Sequence, residues 1–416
     1  MIVEPLDVVQ LLAEIDDIGR DPVRGGWSRH VFDDAETALR EWFLGHAAAL
    51  GLRIEHDRNS NIWATWAPQG ATGAAVGIGS HLDSVPGGGA YDGPLGVASA
   101  LAVVSRLQRQ GFSPAAPVTI GVFMEEEGSR FGIACLGSKL ATGAIGAEAT
   151  LALADGAGVS FAEAAAARGV DASRLGRDAE RLAGLAAFVE LHVEQGRGLI
   201  DLGHAVALAR SILAHGRWRL TFQGEGNHAG TTAMADRRDP VTAVSSLVLQ
   251  AQRIAVAHDH PASGRFARAT VGRLDPIPGG TNVIASRVEA WLDVRAGDDE
   301  TVWSLVDDIE EAATRAATEH GCRVTMECES FGGLVTFDEQ LCERLRGVLG
   351  DVPVLATGAG HDAGVLAGAL PTAMLFVRNP TGVSHAPGEG ASDDDCRSGV
   401  DALEAVVREL AGSAEC

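Results

Sequence analysis

The sequence predicts an α/β fold in which a large domain, built on a mostly parallel sheet covered by helices, is interrupted by a smaller α/β sandwich inserted as a lid. Three observations lead there. Between residues 61 and 124 short apolar runs alternate with a segment of helical periodicity. From about Arg217 the runs become amphipathic, with alternate residues polar. Near Leu334 the buried-strand pattern of the first part resumes. With 416 residues the chain can build more than one core, because single cores stop growing at about 250–300 residues. The expected division is 1–212 and 330–416 for the larger domain and 213–329 for the insertion.

In order along the chain, apolar residues at helical spacing place a helix over 7–18 and a second over 33–50, both on the surface, with Asp33 or Asp34 as the cap of the second. Strands follow at 61–66, 75–79 and 118–124, with a helix over 95–110 between the last two. This βαβ rhythm implies parallel strands covered on both faces, and such sheets gather functional side chains at the carboxyl ends of their strands. An alanine-rich helix contains residues 164–167. The insertion has strands at 217–223, 269–274, 287–294 and 322–328 and helices at 240–258 and 300–320. Further buried strands at 353–355 and 372–377 return the chain to the first sheet.

Composition excludes some partners. The formal net charge of −23 repels phosphate backbones and anionic membrane surfaces, so neither nucleic acid nor a lipid surface is expected to bind. The six cysteines (Cys135, Cys322, Cys328, Cys342, Cys396 and Cys416) lack CxxC pairing, and a chain of this size needs no disulfide staples. Reduced thiols in a cytoplasm are expected. The first residues, Met1 to Asp7, hold no basic stretch followed by an apolar one, and no run of about 18 apolar residues occurs, so neither export nor a membrane span is expected.

Four segments carry chemistry. In Gly79-Ser-His81-Leu-Asp83-Ser-Val-Pro-Gly-Gly-Gly-Ala-Tyr-Asp92-Gly93-Pro-Leu-Gly96, an imidazole and two carboxylates share a glycine-rich turn between strand and helix. These are ligands that divalent transition metals prefer, and Asp83 is spaced to hold the His81 ring. A capped turn with a surface histidine fits the same residues. Met124-Glu125-Glu126-Glu127-Gly128 follows an apolar strand directly, and three adjacent carboxylates there repel one another unless a cation compensates them. Phe188-Val-Glu190-Leu-His192-Val-Glu194-Gln195 and Asn379-Pro-Thr-Gly-Val-Ser384-His385 each bring one more histidine to a strand end. A lone histidine of that kind is more often structural. Together, however, the segments supply the donor set of a binuclear site, in which one carboxylate bridges and two ions share and acidify a hydroxide that attacks a carbonyl. A neighbouring carboxylate then moves the proton to the leaving nitrogen.

From about Gly25 to the C-terminal helix these segments resemble the M20 metallopeptidase superfamily, and within it the amidase branch of N-carbamoyl-L-amino acid hydrolases, allantoate amidohydrolases and β-ureidopropionases. The resemblance implies His81, Asp92 and His192 as ligands of one divalent ion and Asp92, Glu127 and His385 as ligands of the other, zinc or manganese, with Glu126 as general base. It also implies that His228, in Asn227-His228-Ala-Gly230-Thr-Thr, stabilises the oxyanion, often from the partner subunit. Asn282 and Arg295 would grip a substrate carboxylate, with Gln195 and Gly360 as further substrate contacts. His361 is either a further contact or a structural histidine. The branch tends to form homodimers through the lid. The implied reaction is hydrolysis of a linear carbamoyl or ureido C–N bond of a small anionic substrate. The alternatives are an aminoacylase or dipeptidase on the same scaffold, or a non-catalytic metal-stabilised binding protein, which would have no need of Glu126. The chain departs from the usual pattern at Ala90, Ala233, Ala285, Ser286 and Ala386, and none of these changes removes a ligand or the base. A strained cis peptide between Asp92 and Gly93 is a further expectation for a bridging carboxylate.

Overall fold

The computed structural model describes residues 5–260 and 266–413. Cys416 and the residues Met1–Glu4 of the N-terminal reading lie outside them. The chain forms two compact units, one of residues 1–211 and 336–416 and one of residues Ile212–Val335. The strand Arg323–Gly332 carries the insertion past residue 329, because it pairs along its whole length with Ala214–Gln223.

The larger unit is built on one sheet in which Arg53–His56, Ile62–Trp66, Val118–Phe123, Ala75–His81, Leu185–Val193, Thr372–Val377 and Val206–Ile212 lie side by side in that order. The four strands from Val118–Phe123 to Thr372–Val377 are parallel, and the pairings that flank them are antiparallel. Each parallel strand is almost wholly buried, which is why it reads as a continuous apolar run. On the helical faces, Pro94–Arg109 is buried over nearly all of its length and packs with Val8–Glu14 and Asp393–Ala411.

Asp33 caps Asp34–Ala49 by accepting from the Glu36 N–H at 2.7 Å. That helix is not confined to the surface, since Leu39, Phe43 and Ala47 are fully buried. The strand expected to end at residue 79 runs on to His81, because its ladder with the neighbouring strand continues as far as His81 opposite Phe123. The sheet therefore sets the His81 backbone.

The smaller unit is a four-stranded antiparallel sheet in the order Arg323–Gly332, Ala214–Gln223, Arg287–Ala296, Ala267–Ile277. Its helices Pro240–His258 and Asp299–Glu319 cover one face, so alternate strand residues such as Val288, Ala290, Leu292 and Val294 are buried. A two-stranded pair, Asn227–His228 with Val283–Ile284, is separate from this sheet.

Phe188 is fully buried in the parallel sheet and meets the Phe123 ring edge-on at 5.5 Å. Phe188→Ala is expected to cost about 3–5 kcal/mol, read as a lower urea midpoint by circular dichroism. An unchanged midpoint would show that this cluster repacks freely.

Candidate metal centre

Register brings the candidate donors together. Gly79 pairs with Glu190, so two residues further along both strands His81 comes beside His192, and the rings lie 5.8 Å apart. Glu126 and Glu127 follow three and four residues after the end of the Val118–Phe123 strand. His385 lies in the loop after Thr372–Val377, with φ 56°. All of these segments leave the sheet at the same edge, the carboxyl ends of the parallel strands.

Asp92 sits in the middle. Its carboxylate lies 3.5 Å from His81 Nε2, 3.1 Å from His192 Nε2 and 3.5 Å from His385 Nε2. The turn that aims it uses Gly93 at φ 86°, where any side chain would collide with the His81 ring. The cis peptide expected between Asp92 and Gly93 is absent, since Ile277–Pro278 is the single cis bond among the described residues. The freedom of Gly93 at positive φ performs the redirection instead.

The donor set fits a cation. His81 Nδ1 donates to the Asp83 carbonyl at 3.0 Å and His192 Nδ1 to the Val193 carbonyl at 2.9 Å. A carbonyl only accepts, so each Nδ1 carries a proton and Nε2 is the ring atom turned towards the Asp92 carboxylate. Both Nε2 atoms are buried without a hydrogen-bond partner. An Nε2 lone pair facing an anion calls for positive charge there, supplied by a proton, which the nearby carboxylates favour on both rings, or by a bound cation, and His81, Asp92 and His192 thus form one group able to hold a metal ion. Asp92, Glu127 and His385 form a second, more open one, with His385 Nε2 3.5 Å from Glu127. Here the Gln195 amide donates to Asp92 at 2.7 Å and lies 3.2 Å from His385 Nε2. A third group, Glu190, His192 and His361, would share the His192 ring, whose Nε2 faces Asp92 at 3.1 Å.

Electrostatics follow from burial. Burial depresses the His81 imidazole, but the Glu126, Asp83 and Asp92 carboxylates outweigh it and hold the ring well above its ordinary pKa. Burial raises Asp92, and His192 and His81 more than reverse this. Glu126 is pushed well up by burial, only partly opposed by His81. Burial, then His192, keeps His361 neutral, and its ring packs edge-on against His192 at 4.5 Å.

The three adjacent glutamates divide their work. Glu125 turns back to accept from the Arg130 and Phe131 N–H groups, and burial with Asp83 nearby pushes it up to about 8. Glu126 and Glu127 face the histidines, with Glu126 Oε2 3.8 Å from His81 Nε2. Asp83 does more for these two than for the ring it was expected to hold. Its carboxylate accepts from the Glu126 and Glu127 N–H groups at 3.1 and 3.0 Å and stands 3.6 Å from His81 Nδ1, which bonds to the Asp83 main chain instead.

The remaining candidates are dispersed. Gly360 is exposed before the short helix Asp362–Leu366. His228, Asn282 and Arg295 belong to the smaller unit. His228 and Asn282 adjoin, because the Ala229 N–H donates to the Asn282 carbonyl at 3.0 Å. Arg295 makes a two-pronged pair with Asp293 at 2.8 and 3.2 Å.

Sequence reasoning passed over several participants. Glu190 is fully buried, accepts from Ser80 at 2.6 Å and from the Ala363 N–H at 2.9 Å, and shares a strand face with His192 two residues on. Cys135 points its thiol at Glu126 Oε1 from 3.3 Å. Glu389 contacts the Asp92 turn, and burial together with Asp92 pushes it up to about 7. An acid inside an apolar strand was a visible signal for Glu190. Nothing local marked Cys135 or Glu389.

Imidazole and carboxylate groups converging at the carboxyl ends of parallel strands, in a unit interrupted by a two-layer α/β insertion, define a metal-dependent hydrolase class. The chain belongs to the peptidase family M20/M25/M40, whose sequence pattern matches residues 77–409. It is 35% identical over 412 residues to the N-carbamoyl-L-amino acid amidohydrolase of Geobacillus stearothermophilus, covering 97% of each chain. It is 29% identical to the allantoate amidohydrolase of Escherichia coli K12, again over 97% of each. A crystal structure of an amidase of the hydantoinase/carbamoylase family from Burkholderia vietnamiensis superposes with a TM-score of 0.86 at 30% identity, over 99% of both chains.

If a cation completes the cluster, zinc- or manganese-loaded protein should melt above chelator-treated protein. An ion at a hundredfold excess over its Kd adds about 2.7 kcal/mol. Coincident melting curves by scanning calorimetry would count against an ion at this place.

Proposed function

We propose that this chain is an amidohydrolase of N-carbamoyl-L-amino acid hydrolase or allantoate amidohydrolase type, cleaving a linear carbamoyl or ureido C–N bond with two divalent ions, zinc or manganese. The observation that carries this reading is Asp92, shared between two groups of imidazole and carboxylate donors with the buried Glu126 beside them. His81, Asp92 and His192 would hold one ion and Asp92, Glu127 and His385 the other. When bound, such ions polarise the scissile carbonyl and make a water more acidic.

Glu126 takes the proton of the attacking water and delivers it to the leaving nitrogen. Its environment suits this, because burial raises its pKa and so makes the carboxylate a stronger base. Hydrolysis to completion releases the amine, ammonia and carbon dioxide.

His228 is prepared to stabilise an oxyanion. Its Nδ1 accepts from the Gly230 and Thr231 N–H groups at 3.0 and 3.2 Å, so the neutral ring carries its proton on the exposed Nε2 and can donate there. Arg295 and Asn282 bind the substrate carboxylate, with Arg295 offering a planar fork once it exchanges Asp293 for the ligand. Gln195 and the Gly360 main chain complete the contacts.

Geometry within the smaller unit supports a homodimer. His228 and Asn282 lie near the Gln223 and Arg287 end of the sheet, where the Gly224 N–H bonds to the Ser286 carbonyl. Arg295 is eight residues further along the Arg287–Ala296 strand, about 27 Å away at strand rise. One small ureido acid cannot span that interval, so we assign His228 with Asn282 to one copy and Arg295 to the other. The five described cysteines are unpaired, which suits a reducing cytoplasm. No helix among the described residues is long and apolar enough to cross a membrane.

Ammonia release from allantoate, N-carbamoyl-L-amino acids and β-ureidopropionate by metal-loaded protein, abolished by chelator, is the expected result. Amine release from N-acetyl-amino acids alone would make it an aminoacylase. Glu126→Gln should lower kcat by about 10²–10⁴-fold while both ions stay bound, and a near-normal rate would remove Glu126 as the base. Mixing inactive Glu126→Gln and His228→Ala chains should regenerate activity, because a mixed dimer holds one intact site. No recovery from a mixture shown to contain mixed dimers would place His228 in its own chain's site.

A further inference from the structure

Glu389 is a buried acid that the reaction above does not use. It lies four residues after His385, in a loop that the Glu389 N–H folds back on itself by bonding to the Ala386 carbonyl at 3.1 Å. Its side chain leaves that loop and crosses to the turn that presents Asp92. There Oε1 accepts two successive main-chain N–H groups, from Tyr91 at 3.0 Å and from Asp92 itself at 3.1 Å. The fit is close, since a methyl group on Gly89 would collide with Oε1. The other oxygen, Oε2, is buried without a partner.

Carrying an acid into this place is costly, and a surface residue would not need it. Its two acceptor bonds join segments almost three hundred residues apart, one ending in His385 and the other in Asp92. Both residues belong to the more open group, in which His385 is half exposed.

We propose that Glu389 is a positioning residue which locks the Asp92 turn to the His385 loop and so fixes the spacing of the second metal position. It touches neither the substrate nor an ion. It acts as a hydrogen-bond acceptor, and the oxygen that accepts is what matters, not the charge. The role rests on the two-ion reading above.

The test is a titration of metal-stripped protein with Mn²⁺ by calorimetry, with elemental analysis of the loaded chains. Wild type should take two ions. Glu389→Gln keeps an acceptor oxygen at the same reach and should also take two with wild-type affinities. Glu389→Ala removes the acceptor of the Tyr91 and Asp92 N–H groups and should bind the second ion about 10–100-fold more weakly, the usual cost of removing a group that orients a ligand. Glu389→Asp, shorter by one methylene but still charged, should weaken the same ion and serves if the alanine variant is insoluble. The proposal is overturned if Glu389→Asp or a soluble Glu389→Ala titrates like wild type, or if Glu389→Gln is as defective as they are. A wild-type chain taking fewer than two ions would instead remove the two-ion reading, and this role with it.

Discussion

The structure is organised around a charge problem. His81, Asp92, His192 and Glu126 are each withdrawn from water, and the two rings point their Nε2 atoms at one carboxylate. Buried charges of this kind persist only when paired or bound to a metal. A cation held by the two rings and Asp92 would supply the positive charge that this buried carboxylate calls for.

Those groups work through the main chain as much as through side chains. The Asp83 and Val193 carbonyls fix the tautomers of the two histidines, and the Asp83 carboxylate holds the N–H groups of Glu126 and Glu127. Glu190 ties Ser80 to Ala363 across the sheet, and Asp362 accepts from Ser138 beneath it. Each such bond satisfies a group that would otherwise cost about 1–3 kcal/mol buried and unpaired. Positive φ at Glu125, Cys135 and His385 is strain of the kind that collects at functional sites, and here these residues border the cluster.

The smaller unit solves a different problem. Its strand Arg287–Ala296 carries Arg295 far from the segments of His228 and Asn282, and the proposed sharing of a site between two copies rests on that separation.

Much of this was legible in the sequence because periodicity and side-chain chemistry are local. The alternation of buried runs and helices gave the parallel sheet, and a histidine or acid at the end of each run marked the edge where the donors meet. The membership of the cluster was visible for the same reason, together with a family resemblance spread over nearly the whole chain. Local pattern could not say which of Glu125, Glu126 and Glu127 faces the histidines, since backbone dihedrals at Glu125 and the bonds from Arg130 and Phe131 decide it. Nor could it reveal that Asp83 serves the glutamate backbone, or that Gly93 turns the chain without a cis bond. Glu389 and Cys135 were invisible because their partners, Asp92 and Glu126, are met only when strand order and loop paths are complete. Sequence alone determined the elements and the donor chemistry, whereas tertiary structure decided who touches whom, because register and burial act between segments that the chain keeps far apart.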